Sequence, residues 1–375
     1  MARTMGILLL LLFLFLAEPR TVAQSPQLIR VGLAQGLQEV TLRADVPVEV
    51  LDVVFDRSEV LPPGRWTLRA VGAAIVLGDR RYGDVVRVRS PAGRPIQVEE
   101  RRRAYRGVVE VRRTDRGLTV INELDLESYL YGVLKLEMDP GWPEEAVKAQ
   151  AVAARTLALA NLRRYIRQGF DVQDTVETQL YGGVTHEDPR ATAAVDATRG
   201  LVLTHGGRPI QAVYHADSGG RTEASENVWG VAYPYLRSVE DPYRAGSPYD
   251  RWSVGIPLVQ LEGMLRASGL EVRDLRSIVI ERTSESGRAL LLRLGGPSGS
   301  WEVTAQLLRA VIGPNVLRST RFTVHVEGET AVFEGSGWGH GVGLSQWGAR
   351  GMAMGGSDFA RILRHYYRDV ELAQR

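Results

Sequence analysis

The stretch that most constrains the fold runs from Leu126 to Asn161, LESYLYGVLKLEMDPGWPEEAVKAQAVAARTLALAN, two helical patterns broken by proline and glycine. Asp125 is a good N-cap, and Leu126, Tyr129, Leu130 and Val133 then recur at helical spacing. At about 100° per residue, Glu137 returns to the azimuth of Leu126 and Leu130, while Lys135 falls on the opposite side. An apolar stripe therefore ends on a carboxylate. Asp139-Pro140-Gly141 stops the helix, because the residue before a proline is pushed out of the helical region and glycine tolerates the turn beyond it. Glu137 is thus expected in the last turn, where burial and the negative end of the helix dipole both disfavour its ionised form. A carboxyl that keeps its proton near neutrality is what a general acid requires. A purely structural carboxylate at a tight corner is the alternative.

The second helix should start at Pro143, with Glu144 and Glu145 favourable in its first turn. Ala146, Ala149, Ala153, Leu157 and Ala160 form one face, and Ala151, Val152, Ala154, Ala158 and Leu159 cover most of the rest. Such a helix is buried, its small residues letting neighbours approach closely. Lys148 and Arg155 share its one polar edge. Lys135 and Lys148 are the only lysines of an arginine-rich chain. Lys135 reads as a solvated face residue. Lys148 has two readings, a cation beside a cleft that holds an anionic sugar substituent or tunes Glu137, and an i,i+4 partner of Glu144.

With 375 residues, 44% of them hydrophobic, the chain can bury a large core and has room for two or three domains. Lys+Arg 46 against Asp+Glu 44 gives no electrostatic case for nucleic acid. The basic clusters Arg101 to Arg103 and Arg163 to Arg167 each read as a solvated strand end or helix face. Arg3, the apolar run Ile7 to Ala17 and the small-residue site Thr21-Val22-Ala23 form a secretory leader, so residues 1–23 are expected to be a signal peptide. An uncleaved anchor is the runner-up. Cysteine is absent, which excludes disulfides, thiol chemistry and cysteine-ligated zinc. No cofactor is expected.

Residues 24–113 show short β-type runs punctuated by turns, among them IRVGLA, QEVTLRA and GVVEVRR, and suggest a β-rich accessory module without a catalytic constellation. After the paired helices, LVLT and PIQAVYHA flank His205-Gly206-Gly207-Arg208 as a hairpin that leads into Tyr214-His215-Ala216-Asp217-Ser218-Gly219-Gly220-Arg221-Thr222. Polar side chains crowded on a glycine-bearing loop at a strand end commonly line a site. Asp217-Ser218-Gly219-Gly220 also resembles the loop around a serine-protease nucleophile, but none of His186, His205 or His215 carries a partner signature. Aromatics between Trp229 and Trp252 either stack on a ligand or pin their loop. Residues 256–323 read as an inserted α/β segment without chemistry of its own, and 324–375 as the block that completes the domain. In GSGWGHGVGLSQWGA, from Gly335 to Ala349, glycine alternates along a strand-like run that projects Ser336, Trp338 and His340 from one face. Ser345 can cap the helix that comes next. Neither a GxGxxG in strand-to-helix context nor a GxxxxGK[ST] occurs, so nucleotide binding is unsupported.

YLYGVLKLEMDPGWPEEAVKAQAVAARTLAL, the SGGxT loop and GWGHGVGLSQWGA are three ordered blocks that together resemble the SpoIID/LytB domain family, the stage II sporulation protein D and amidase-enhancer group. The resemblance spans roughly residues 122–367, so 114–255 is expected to be the SpoIID core. It implies an α+β fold, a β-rich N-terminal module followed by a mixed α/β catalytic domain with a central cleft. It further implies a lytic transglycosylase acting on peptidoglycan glycan strands stripped of stem peptides. Glu137 is then the single acid and base, and Lys148, Gln179, Tyr181, Tyr214, Ser218, Gly219, Gly220, His340 and Gln346 are candidates for binding substrate. Some relatives carry a cysteine pair for zinc in the segment that here reads Asp171 to Gln179, and its replacement removes that metal site. Two alternatives stay open: a non-catalytic, wall-binding enhancer of an N-acetylmuramoyl-L-alanine amidase, and a hydrolase that adds a second carboxylate from Glu123, Glu127, Asp139, Glu223 or Asp241.

Overall fold

The computed structural model describes residues 26–375, and the expected leader at 1–23 lies outside the described residues. Helices and several sheets make an α+β architecture. The N-terminal half is built on a seven-stranded sheet in the order Val172–Gln173, Leu28–Leu37, Gly117–Asp125, Val108–Thr114, Val85–Arg89, Val48–Asp52 and Arg57–Leu61. It faces a six-stranded antiparallel sheet in which Glu39–Ala44 lies between Ile96–Val98 and Gly64–Val71. Alternating apolar residues such as Ile29, Val31 and Leu33 supply the buried face, as strand periodicity requires.

That module does not stop at residue 113. Val108–Thr114 and Gly117–Asp125 form one hairpin across the expected boundary, and the second strand runs directly into helix α1, Leu126–Glu137. One apolar cluster then continues from the strands through Leu130, Val133 and Leu134 of α1 to Ala151 and Ala154 of helix α2, Glu144–Ala160, and on to Tyr366. The sheet is thus the bed on which the helical corner rests. Asp125 caps α1 by accepting from the Ser128 amide at 3.0 Å, and Pro143 stands at the N-cap of α2 rather than inside it.

A second core contains Trp252, Leu261, Leu292, Leu308 and Phe333. It is broader than the expected 256–323 insertion, because strand Trp252–Pro257 pairs with Thr330–Gly335, which in turn pairs with Phe322–Glu327. Within it lie helices Leu258–Ala267 and Ala305–Ile312 and a hairpin turning at Ser286-Gly287, in keeping with an α/β segment.

The glycine-alternating block departs from the strand-like expectation. Gly337, Gly339, Gly341 and Gly343 all have φ between 72° and 114°, so the run is an irregular ribbon with only Leu344–Ser345 in a strand, parallel to Tyr214–His215. A Cβ on Gly339 would lie 2.7 Å from the His215 Cβ, and one on Gly343 would lie 2.2 Å from the Val213 carbonyl oxygen. Glycine here serves close backbone approach as well as the left-handed turn. The ribbon is thereby laid flush along the strand that carries Tyr214.

Candidate active site

Glu137 is the last residue of α1, and its backbone carbonyl, one of the acceptors that a helix end leaves unpaired, receives the Gln346 side-chain amide at 2.8 Å. Gln346 also reaches Gln150 Oε1 of α2 at 3.3 Å, so three segments converge on the helix end. The carboxylate lies at the floor of a groove of about 660 Å³ whose lining includes Leu157, Asn161, Thr178, Tyr214, Trp229, Tyr233 and His340. Part of the side chain can be reached from the groove, yet protein surrounds the carboxyl group itself closely. Desolvation raises its pKa from the ordinary 4.5 to about 7, against the opposing effect of a hydrogen bond from the Leu180 amide at 3.3 Å and of the neighbouring Tyr214 hydroxyl.

The direction of the Tyr214 bond is set by Gln179. Gln179 is buried, and its Nε2 donates to the Ala154 carbonyl at 3.3 Å and to Tyr214 Oη at 3.1 Å, while its Oε1 accepts from the Tyr129 hydroxyl at 3.2 Å. A carbonyl only accepts, so the amide has one orientation. Tyr214 Oη accepts from Gln179, so its own hydrogen is free to turn towards Glu137.

His340 forms another part of the wall. Its Nδ1 accepts from the Val342 amide at 3.0 Å. Burial lowers its pKa to about 4, so the imidazole is neutral and contributes shape and a dipole rather than charge. The Trp229 ring lies 5.1 Å from it, and Trp229 is 45% exposed towards the opening.

The remaining candidates separate from the groove. Lys148 is tied to Glu144 at 2.6 Å and Glu145 at 3.0 Å along its own helix and does not line the groove, which corrects its reading as an anion-holding cation. Tyr181 is fully buried, its hydroxyl on Asn122 and its ring against Tyr105 and Tyr129, so it can support the corner but cannot touch a ligand. Ser218 is also buried, and its hydroxyl donates to Asp241 at 2.6 Å. The Gly219 amide is bound to Asp217, and Gly220 opens on a separate depression beside Arg321. The SGG loop is therefore a brace between the two cores. Buried Arg288 secures it by donating to the carbonyls of Ser218 and Arg221.

The proposed second carboxylates are also engaged elsewhere. Glu123 binds Arg30 and Arg87, Glu127 binds Arg155, Asp139 caps the Gly141 amide, Glu223 holds Ser286 and Asn227, and Asp241 holds Ser218 and Tyr366. Glu177, on the rim, is the groove's other carboxylate. Sequence reasoning did not single out Glu177, Arg164 or Asn161, because they reach the groove only through tertiary packing.

Fold and site together define an α+β protein with a desolvated carboxyl, that of Glu137, set in an aromatic-walled groove. Residues 114–205 match the family model described as stage II sporulation protein, and residues 243–343 match a domain of unknown function. An uncharacterized protein of Brachyspira hyodysenteriae is 36% identical over 68% of this chain and 68% of its own length. Stage II sporulation protein D of Bacillus amyloliquefaciens is 32% identical over 68% of this chain and 76% of its own length. The amidase enhancer of Bacillus subtilis is 29% identical over 64% of this chain but only 39% of that longer protein. The chain belongs to the SpoIID/LytB family.

Proposed function

We propose that the chain is an exported, peptidoglycan-remodelling lytic transglycosylase that acts on glycan strands without stem peptides. The observation that carries this reading is the Glu137 carboxyl, desolvated to a pKa of about 7 at the floor of the groove. Export rests on the leader pattern of Arg3 followed by the apolar run Ile7 to Ala17. A glycosidic oxygen can leave only if it is protonated, and protonated Glu137 supplies that proton. The muramyl C1 becomes oxocarbenium-like, and the C6 hydroxyl of the same sugar attacks it. The Glu137 carboxylate takes the hydroxyl proton back. One C–O bond breaks, one forms, no water enters, and the product ends in a 1,6-anhydro sugar. The Tyr214 hydroxyl and the Leu180 amide steady the ionised intermediate form of Glu137, and Trp229 and Tyr233 give sugar rings flat apolar surfaces.

Mass analysis of denuded glycan digests tests this. The intact protein should release 1,6-anhydro ends and Glu137→Gln should release none while remaining folded. Reducing ends instead would indicate a hydrolase, with Glu177 as its candidate second group. The match to a protein named amidase enhancer favours one further reading, a wall-binding modulator of an amidase without turnover of its own. No sugar product from the intact protein, together with faster amidase action in its presence, would select it.

A further inference from the structure

Among the described residues, Arg164 is the only lysine or arginine that lines the groove of Glu137. It belongs to the basic run after α2, and its guanidinium touches only Asn161 Oδ1 and the Glu177 carbonyl, each at 3.5 Å, the outer limit of a hydrogen bond. No carboxylate among the described residues pairs with it. Its plane lies 5.5 Å from the Tyr165 ring, which restricts its swing without using its donors. Many other arginines of the fold have acidic partners, as Arg155 has Glu127 and Arg106 has Glu187. Arg164 thus presents a fork of unspent donors to whatever fills the groove, and a planar fork matches a carboxylate.

We propose that Arg164 is a specificity-determining residue that binds a carboxylate of the glycan. This rests on the reading of the groove as a glycan site. In a peptidoglycan strand without stem peptides the anionic group is the lactyl carboxylate of muramic acid. Where a stem peptide is attached, that carbon is an amide and carries no charge. Arg164 then selects for the stripped strand by reading a charge that stem-peptide removal creates. Lys148, spent on Glu144 and Glu145, cannot do so. The competing role for a cation just beyond a helix C-terminus is to stabilise the helix dipole, which affects folding and not ligand choice.

The test uses the Glu137→Gln protein, which should bind without turnover, and two muramyl-containing oligosaccharides, one with free lactyl carboxylates and one with the same groups converted to methyl amides. The free acid should bind about tenfold more tightly, as a charge-assisted hydrogen bond implies, and the preference should shrink as salt rises. Adding Arg164→Gln should abolish the preference with little change in thermal stability, and Arg164→Lys should restore part of it. Arg164→Gln that keeps the full preference, or that lowers stability alone, overturns the proposal while leaving the glycan groove standing. If the Glu137→Gln protein binds neither oligosaccharide, the glycan reading itself fails and this inference falls with it.

Discussion

Glutamine at position 137 should stabilise the protein, and should do so only above mildly acidic pH. Placing Glu137 at the groove floor raises its pKa from 4.5 to about 7. At 1.36 kcal/mol per pH unit, that rise corresponds to about 3 kcal/mol, an upper value because water can enter the groove. The folded state binds the proton more tightly than the unfolded chain does. The wild type therefore has its full contribution from this group below about pH 4.5 and loses it progressively as pH climbs through 7. Glutamine is neutral throughout and nearly the same shape, so Glu137→Gln escapes that loss. Denaturant unfolding of both proteins between pH 4 and 9 measures the difference, with probes for each of the two cores because they need not unfold together. The two proteins should differ little at pH 4, and the variant should be more stable by up to about 3 kcal/mol at pH 8. A difference that is constant with pH, or a variant that is less stable at pH 8, would refute desolvation as the cause of the raised pKa.

Gln179→Leu should cost about 1 to 3 kcal/mol by stranding the buried Tyr129 hydroxyl, since the Ala154 carbonyl keeps its helical partner. It also frees Tyr214 to turn away from Glu137, so the pKa of Glu137 should rise further and the pH profile of activity should move up with it; an unmoved profile would separate Gln179 from the acid. Trp229→Ala should weaken glycan binding by about tenfold, as loss of an aromatic anchor does, and leave the melting temperature nearly unchanged because the ring is already 45% exposed. Ser218→Ala should lower stability by about 1 to 3 kcal/mol through the hydrogen bond lost to Asp241, with activity per folded molecule retained; lost turnover at unchanged stability would bring Ser218 into the chemistry.

How far the sequence could be read depends on the range of the forces involved. Asp125 as a cap, the break at Asp139-Pro140-Gly141 and the azimuth of Glu137 are decided within a few residues, and helix periodicity carries them. The hairpin around His205 and the cap at Ser345 are local in the same sense. Ser218 and Tyr181 lie away from the groove, and Lys148 takes the helical pairing with Glu144 of its two readings, because residue type does not say whether a polar group faces a cavity or a neighbour. Ser218 finds Asp241 and Tyr181 finds Asn122 across long separations, and only the packed chain reveals that their hydrogen-bonding capacity is already used. The glycine ribbon shows a different limit. Alternation was visible, but a period of two is shared by strands and by a run in which every second residue is left-handed.

The hydrogen bond from Gln346 to Glu137 spans 209 positions of the chain. A polypeptide made from its N-terminus has its acid long before it has the segment that finishes the acid's surroundings. Until the last tenth of the chain arrives, neither the His340 wall nor the clasp on the helix end exists. On the proposed glycan-cleaving activity, a nascent or C-terminally clipped copy should consequently be harmless to any sugar polymer it meets, so that the order of synthesis itself would act as a safety catch.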